Sequence, residues 1–332
     1  MLTYIGKRVL QLIPLLIALS MIIFIVIELP PGDYLTMYVM QLEHSGTEVA
    51  EETIVSLTAV YGLDKPFVQR YLLWIWNIIT RGDMGRSFQY DKPVTEVIGE
   101  RIMLTMVLSF LSLLFTYAVA VPIGIYSATH QYSFADYLLT FGGFIGLAIP
   151  GFLLALVILY IAFAEFGISV TGLFSPEYVD APWSLAKVGN MLQRIWIPII
   201  IVGMAGTASL IRVMRGVLLD ELRKQYVITA RAKGIAEIKL LFKYPVRVAI
   251  NPIVSTVGWL LPRIISSTPL VAIVLNLPTT GPMLLGALLH QDMYLAGSFV
   301  LILSVLTVIG TLLSDVLLAT LDPRIRYEGV GA

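Results

Sequence analysis

The chain contains no cysteine, which excludes disulfides, thiolate chemistry and most zinc sites. Charge is scarce. Only 13% of the 332 residues are Asp, Glu, Lys or Arg, about half the share of a soluble domain. The formal net charge is zero, so no basic excess points to nucleic acid. The three histidines, His44, His130 and His290, lie far apart and read as ordinary polar residues. There is no Gly-x-x-x-x-Gly-Lys-Ser/Thr phosphate cradle, so ATP is not bound in that way. Neither an internal repeat nor a low-complexity segment is visible. The apolar runs lack the clustered His, Asp or Glu that a membrane enzyme needs.

What is present is apolar sequence, 58% of the chain. Six runs reach the roughly 20 residues that cross the hydrocarbon as helix: 9–29, 103–128, 138–164, 195–217, 253–275 and 295–321. The expected fold class is an all-α polytopic membrane protein with six transmembrane helices. Lys7 and Arg8 precede the first run as in a signal peptide. The run is long, however, and Glu28-Leu29-Pro30-Pro31 follows where small residues would be cleaved, so it reads as a retained helix. Residues 67–80 are apolar but short and hold Gln69 and Arg70. They predict an interfacial helix with Tyr71, Trp74 and Trp76 at headgroup depth.

Positive residues orient the chain. Lys7 and Arg8, nine Lys and Arg from Arg212 to Arg247, and Arg324 and Arg326 place both termini on the cytoplasmic side. Most positive residues assigned outside, from Lys65 to Arg101, share one long loop where the rule weighs less. The chain then divides into an N-terminal segment and first helix (1–29), an extracytoplasmic region (30–102) and a five-helix core (103–328) with a cytoplasmic loop at 218–250. Residues 165–194 read as a polar outer loop. Within a third outer region, residues 282–289 suit a short helix lying across the outer mouth.

The cytoplasmic loop is the most informative segment. Residues 226–233 fit two helical turns, Gly234 can end them in a left-handed conformation, and residues 236–244 restart helix with Glu237 in the first turn. Small side chains at Thr229, Ala230 and Ala232 would let another protein approach closely, and Arg231 and Lys233 offer charge to an acidic rim. Two readings fit: a contact for a soluble partner, and a basic loop that holds topology and touches anionic lipid.

The run Thr229-Ala230-Arg231-Ala232-Lys233-Gly234 resembles the cytoplasmic loop of binding-protein-dependent ABC import permeases. Their motif is Glu-Ala-Ala, three residues, then Gly. Gly234 and Ala230 match it, while Ile228 and Thr229 replace the Glu and the first Ala. The Thr-Ala-Arg-Ala-Lys-Gly form is similar to the peptide, nickel and oligosaccharide branch. Gly62-Leu63-Asp64-Lys65-Pro66, Gly82-Asp83-Met84-Gly85-Arg86-Ser87-Phe88, Leu277-Pro278 with Gly281, and Leu321-Asp322-Pro323-Arg324-Ile325-Arg326-Tyr327 resemble further signatures of that branch, in order. The resemblance implies a type I importer fold and a non-enzymatic pore subunit of a bacterial or archaeal cytoplasmic membrane. It implies pairing with a second homologous permease, two ATPase subunits that use ATP and Mg, and an extracytoplasmic solute-binding protein. Thr229 to Gly234, with Glu237, would couple to the ATPase, and Pro278 and Gly281 would mark the outer mouth. This chain would itself hold no cofactor and no metal.

A charge at the centre of a span costs roughly 2.5–3.5 kcal/mol on insertion scales and marks function by default. Arg263 lies in the fifth run beside Pro262, Ser266, Ser267, Thr268 and Pro269. Arg263, Ser266, Thr268 and Asn276 are therefore path candidates. The alternative is that Arg263 pairs with a neighbouring helix or the partner permease. Asp315 suits helix packing or a partner contact, and Gly142-x-x-x-Gly146 suits close helix approach. Ala272 stands where branch members often carry Glu, which tilts the cargo from cationic solutes toward neutral oligosaccharide, although peptide is the commoner cargo. A secondary transporter or channel is the competing class. It would show inverted repeats and intramembrane acids, and Asp315 alone offers little.

Overall fold

The computed structural model describes residues 2–28, 58, 65–87, 89–90, 92–290 and 292–321. Most of the 30–64 region, the first part of the Gly62–Pro66 motif, Phe88 and residues 322–327 of the C-terminal signature lie outside them. Two compact units form. One draws on Met1–Leu10, Leu104–Pro278 and Leu306–Ala332, the other on Gln11–Met103 and Thr279–Val305.

The helices are α1 (Leu2–Glu28), α2 (Phe67–Arg81), α3 (Val94–Thr129), α4 (Phe134–Ala148), α5 (Gly151–Phe166), α6 (Leu185–Arg194), α7 (Trp196–Leu222), α8 (Gln225–Ala232), α9 (Glu237–Lys243), α10 (Pro245–Ser255), α11 (Val257–Val274), α12 (Thr280–Leu289) and α13 (Met293–Leu321). Strands β1 (Arg86–Ser87) and β2 (Lys92–Pro93) pair antiparallel. Among the described residues, four helical stretches are long and apolar enough to cross a membrane: Ile5–Val26, Val94–Thr129, Trp196–Leu222 and Met293–Leu313.

Two expected spans are interrupted. The 138–164 run is not one helix. It breaks at Ile149 and Pro150, and α4 and α5 meet at 107°. Pro150 offers no N–H, and the residue before a proline is pushed out of the helical region; Ile149 is extended, at φ −97° and ψ 125°. Counted as one bent span, the pair makes a fifth. The 253–275 run is split at Thr256 between α10 and α11. Pro252 lies just before this break. The Ile253 carbonyl there accepts from the Thr256 hydroxyl at 2.6 Å and from Tyr117 Oη at 3.2 Å. These contacts satisfy backbone that a regular helix would have paired internally.

In the larger unit α7 is the central element. Its small residues admit close neighbours, which matters in lipid because packing, rather than water exclusion, holds helices together. A Cβ on Gly203 would lie 2.6 Å from the Phe115 ring, and one on Gly206 would lie 2.8 Å from Leu260. Thr116 Oγ1 donates to the Gly203 carbonyl at 2.9 Å. From the α4 side, a Cβ on Gly146 would lie 2.9 Å from the Met204 carbonyl, and one on Gly143 would lie 3.2 Å from Ile211. Gly142, the expected first member of the small-residue pair, has open space instead. The contacting pair is thus Gly143 and Gly146, one helical step apart from the expected register. Asp315 accepts an ion pair from Arg8 at 3.5 Å, which gives it a helix-packing role.

Residues 165–194 are more ordered than a loop, since α6 occupies their C-terminal third. Ser184 caps it, accepting from Lys187 N at 3.2 Å. Lys187 is itself buried. Its ammonium donates to the carbonyls of Ala181 (2.7 Å) and Val179 (3.3 Å) and stands over the Phe174 and Trp183 rings.

The smaller unit explains the Gly82–Ser87 motif. Gly82, at φ +65°, closes α2 by donating to Ile78 O, and Asp83 N donates to Asn77 O. Gly85, at φ +93°, lies where a Cβ would meet the Tyr294 ring at 2.9 Å. Buried Asp292 takes the Ser87 hydroxyl at 2.5 Å and Gln89 N at 3.1 Å, and it accepts from Leu295 N at 3.1 Å at the start of α13. The two tryptophans of α2 part: Trp76 is exposed, whereas Trp74 is buried against Ile23, Phe24 and Leu301.

Candidate functional site

The loop after α7 folds into a two-helix wedge, with α8 and α9 joined at Gly234. Gly234 adopts φ +73°, a conformation that L side chains rarely adopt, and its N–H closes on Arg231 O at 3.0 Å. Neither helix exceeds eight residues, and such lengths are marginal alone. They are held by a small apolar cluster of Val227, Ala230 and Leu240, with Ile235 and Tyr244 against it. Complete burial of Leu240 contributes about 1.5–3 kcal/mol.

That cluster corrects one expectation. Ala230 is 6% exposed and turned inward, so it shapes the wedge and does not offer a small contact surface. The outward face carries Ile228, Thr229, Arg231, Ala232 and Lys233, and beyond the bend Glu237, Ile238 and Phe242. Ile238 is 77% exposed and Phe242 58%. These two apolar side chains one turn apart on α9 were not among the residues singled out from sequence. The i,i+4 spacing is visible there, but which side of the helix the apolar cluster covers is not.

Two polar contacts fix the wedge. Arg231 donates from Nη2 to Glu237 Oε1 at 2.5 Å and from Nε to Oε2 at 3.1 Å. This bond lowers the Glu237 carboxyl below its ordinary value and raises the Arg231 guanidinium. Tyr226 Oη donates to Glu221 at 2.5 Å. Partial burial, then the Glu221 carboxylate, push the phenol up to about 12. At its base the wedge joins α7 and α10, which pack on each other through Leu210, Met214 and Leu218 against Val246, Ala249 and Ile253, with Leu241 of α9 against the same cluster.

The path candidates separate. Arg263 and Ser266 share an exposed face of α11 with Ser267 and Leu270. Thr268 is not on that face: it is buried, and its hydroxyl is spent on Ile264 O at 2.6 Å. Asn276 is exposed at φ +48°, in the turn where Leu277 N donates to Ala272 O and Leu275 O accepts from Gly172 N. Ala272 is fully buried, so the missing acid at that position does not bear on an exposed path. Pro278 is half-buried at the end of this turn. Gly281, at the start of α12, is buried.

Sequence reasoning also missed the ion pair between Asp136 and Arg215, at 2.9 Å. Arg215 had counted only as a topology signal.

The family model described as the binding-protein-dependent transport system inner membrane component matches residues 120–327. The chain belongs to this family. A second model, for the N-terminal part of such membrane components, matches residues 1–109. The oligopeptide transport system permease protein AppB of Bacillus subtilis (strain 168) is 31% identical over 328 residues, covering 98% of this chain and all of AppB. The dipeptide transport system permease protein DppB of Alkalihalophilus pseudofirmus is 28% identical over 341 residues, covering 98% of this chain and all of DppB. The protein is thus an inner-membrane permease subunit of a binding-protein-dependent ABC importer, which works with ATPase and solute-binding partners.

Proposed function

We propose that this chain forms half of the translocation path of an ATP-driven oligopeptide importer working by alternating access. The second half is a homologous permease, and two ATPase subunits hold the ATP and Mg. Six membrane crossings, with the bent α4–α5 pair and the α10–α11 pair as the third and fifth, place both termini inside. The N-terminal segment, the extracytoplasmic region at 30–102 and the core at 103–328 are its functional divisions. The α8–Gly234–α9 wedge is the coupling element. Thr229, Arg231, Ala232 and Lys233, together with Ile228, Ile238 and Phe242, meet a groove of the ATPase, while Ala230, Gly234 and Glu237 keep the wedge rigid. Arg263, Ser266 and Asn276 face the path. Pro278 and Gly281 shape the turn at its outer end.

The observation that carries this reading is the rigid wedge seated between α7 and α10 with its tip exposed. A short stiff element joined to two spans transmits rigid-body movement. The names of the relatives support peptide over oligosaccharide as cargo. The test is uptake into vesicles that contain both permeases, the ATPases and the binding protein. Peptide should accumulate only with ATP, and oligosaccharide should not. Accumulation by this chain without ATPase subunits would instead support a secondary transporter.

A further inference from the structure

At one end of α4 lies a charged contact that the family assignment does not explain. Asp136, in the first turn of α4, is 2% exposed. Its carboxylate gathers the Arg215 guanidinium of α7 (2.9 Å), the backbone N–H of Tyr132 (3.0 Å) and the Thr140 hydroxyl (3.3 Å). Tyr132 stands at φ +63°, a conformation rare for a bulky residue. The carboxylate therefore holds a strained turn and a neighbouring helix together. Ser133 completes the cap by accepting from Asp136 N at 3.1 Å.

Affinity between the two helices does not require this pair. Gly143 and Gly146 already bring α4 against α7. A buried ion pair pays desolvation for its attraction, so it is poor evidence of stabilisation and better evidence of a specified register. Its position gives that register a use. Arg215 lies in the last two turns of α7, and α8 begins just beyond the end of that helix. At its other end α4 bends into α5, whose first residue, Gly151, packs beside Val271 of α11. Helix α11 carries the exposed face with Arg263 and Ser266.

We propose that the Asp136–Arg215 pair positions α4 on α7 so that a push on the coupling wedge swings the bent α4–α5 pair, and with it α11, as one body. Both residues act through other groups and touch no solute. The inference rests on the coupling reading of α8.

The test uses the complete transporter in proteoliposomes, with ATP hydrolysis and solute uptake measured on the same sample. Asp136→Asn should leave the ATPases bound and hydrolysing, while uptake per ATP falls about tenfold, within the range of coupling energies. Arg215→Lys should give a smaller loss, and the double exchange Asp136→Arg with Arg215→Asp should recover part of it. A proportional fall in hydrolysis and uptake would overturn the proposal, because a merely structural role predicts that. Should the single variants fail to reach the membrane, the cysteine-free wild type allows a direct measurement. Spin labels at Phe134→Cys and Arg223→Cys, both exposed, should keep a constant separation through the ATP cycle. A separation that changes would refute the rigid link. Ile228→Asp distinguishes the two ideas: if it leaves ATPase binding and uptake intact, the coupling reading itself fails, whatever Asp136→Asn does.

Discussion

Arg231 and Glu237 grip each other across the bend at Gly234, Nε donating to one carboxylate oxygen and Nη2 to the other. The two-pronged geometry locks the angle between α8 and α9, and one point contact would not. Because the pair is exposed, its value lies in direction more than in stability. The bond lowers the Glu237 carboxyl in the folded state. Its contribution is therefore complete above the ordinary carboxylate range, around pH 4.3, and disappears as pH falls through the depressed value. Protection of the α9 amides, taken relative to their intrinsic exchange rate, should hold at pH 5 and fall only in stronger acid. Glu237→Gln should show weaker protection at pH 5 and above, and the two proteins should converge in stronger acid.

At Gly234 the obstacle to substitution is backbone conformation alone, since a Cβ there would meet nothing within 4 Å. Asn, which tolerates a left-handed backbone, should preserve uptake. Val should cost about 1–2 kcal/mol and reduce uptake. Pro cannot reach φ +73° and loses the N–H that closes on Arg231 O, so transport should cease. Equal transport by the Val and Asn variants would show that the bend carries no mechanical role.

Ala230 is buried inside the wedge and Ile238 is exposed on it. Ala230→Glu buries a carboxylate among Val227 and Leu240, at a cost of several kcal/mol. It should loosen α8 from α9 even in the isolated permease, visible as rapid proteolysis of the loop. Ile238→Asp changes an exposed position and should leave that resistance intact while weakening copurification of the ATPases. Loss of ATPase from both variants with no difference in proteolysis would contradict the assignment of faces.

Gly146→Ala places a methyl against the Met204 carbonyl, a backbone atom that cannot swing aside. The expected cost is about 1–3 kcal/mol, read as a lower unfolding temperature of the purified chain in detergent. Gly142→Ala enters open space and should stay within roughly 0.5 kcal/mol of the parent. The reverse order would restore the Gly142–Gly146 register.

Spans were legible wherever the apolar run was long and unbroken, as in α1, α7 and α13, because the hydrocarbon demands length before anything else. Prolines were not. Pro122 lies inside continuous α3, Pro198 lies in the first turn of α7 where its N–H is not needed, and Pro150 separates α4 from α5. The three look alike in sequence. Whether a helix survives depends on which neighbours take up the freed carbonyls, and those neighbours come from elsewhere in the chain. The 165–194 segment hid α6 for a related reason: its stability comes from Lys187 and its aromatic neighbours as much as from local propensity.

Sequence alone determined that this protein lives in a membrane, that it carries no nucleotide cradle, and that a bend at Gly234 interrupts a basic helical loop. Each of these depends on local chemistry: apolar length, a missing motif, and the one residue that accepts positive φ without cost. Tertiary structure alone decided that Ala230 points inward while Ile238 and Phe242 point out, that Thr268 leaves the face of Arg263, and that Asp136 meets Arg215 from 79 residues away. A helix presents every side of itself in its sequence, and only its neighbours decide which side is covered.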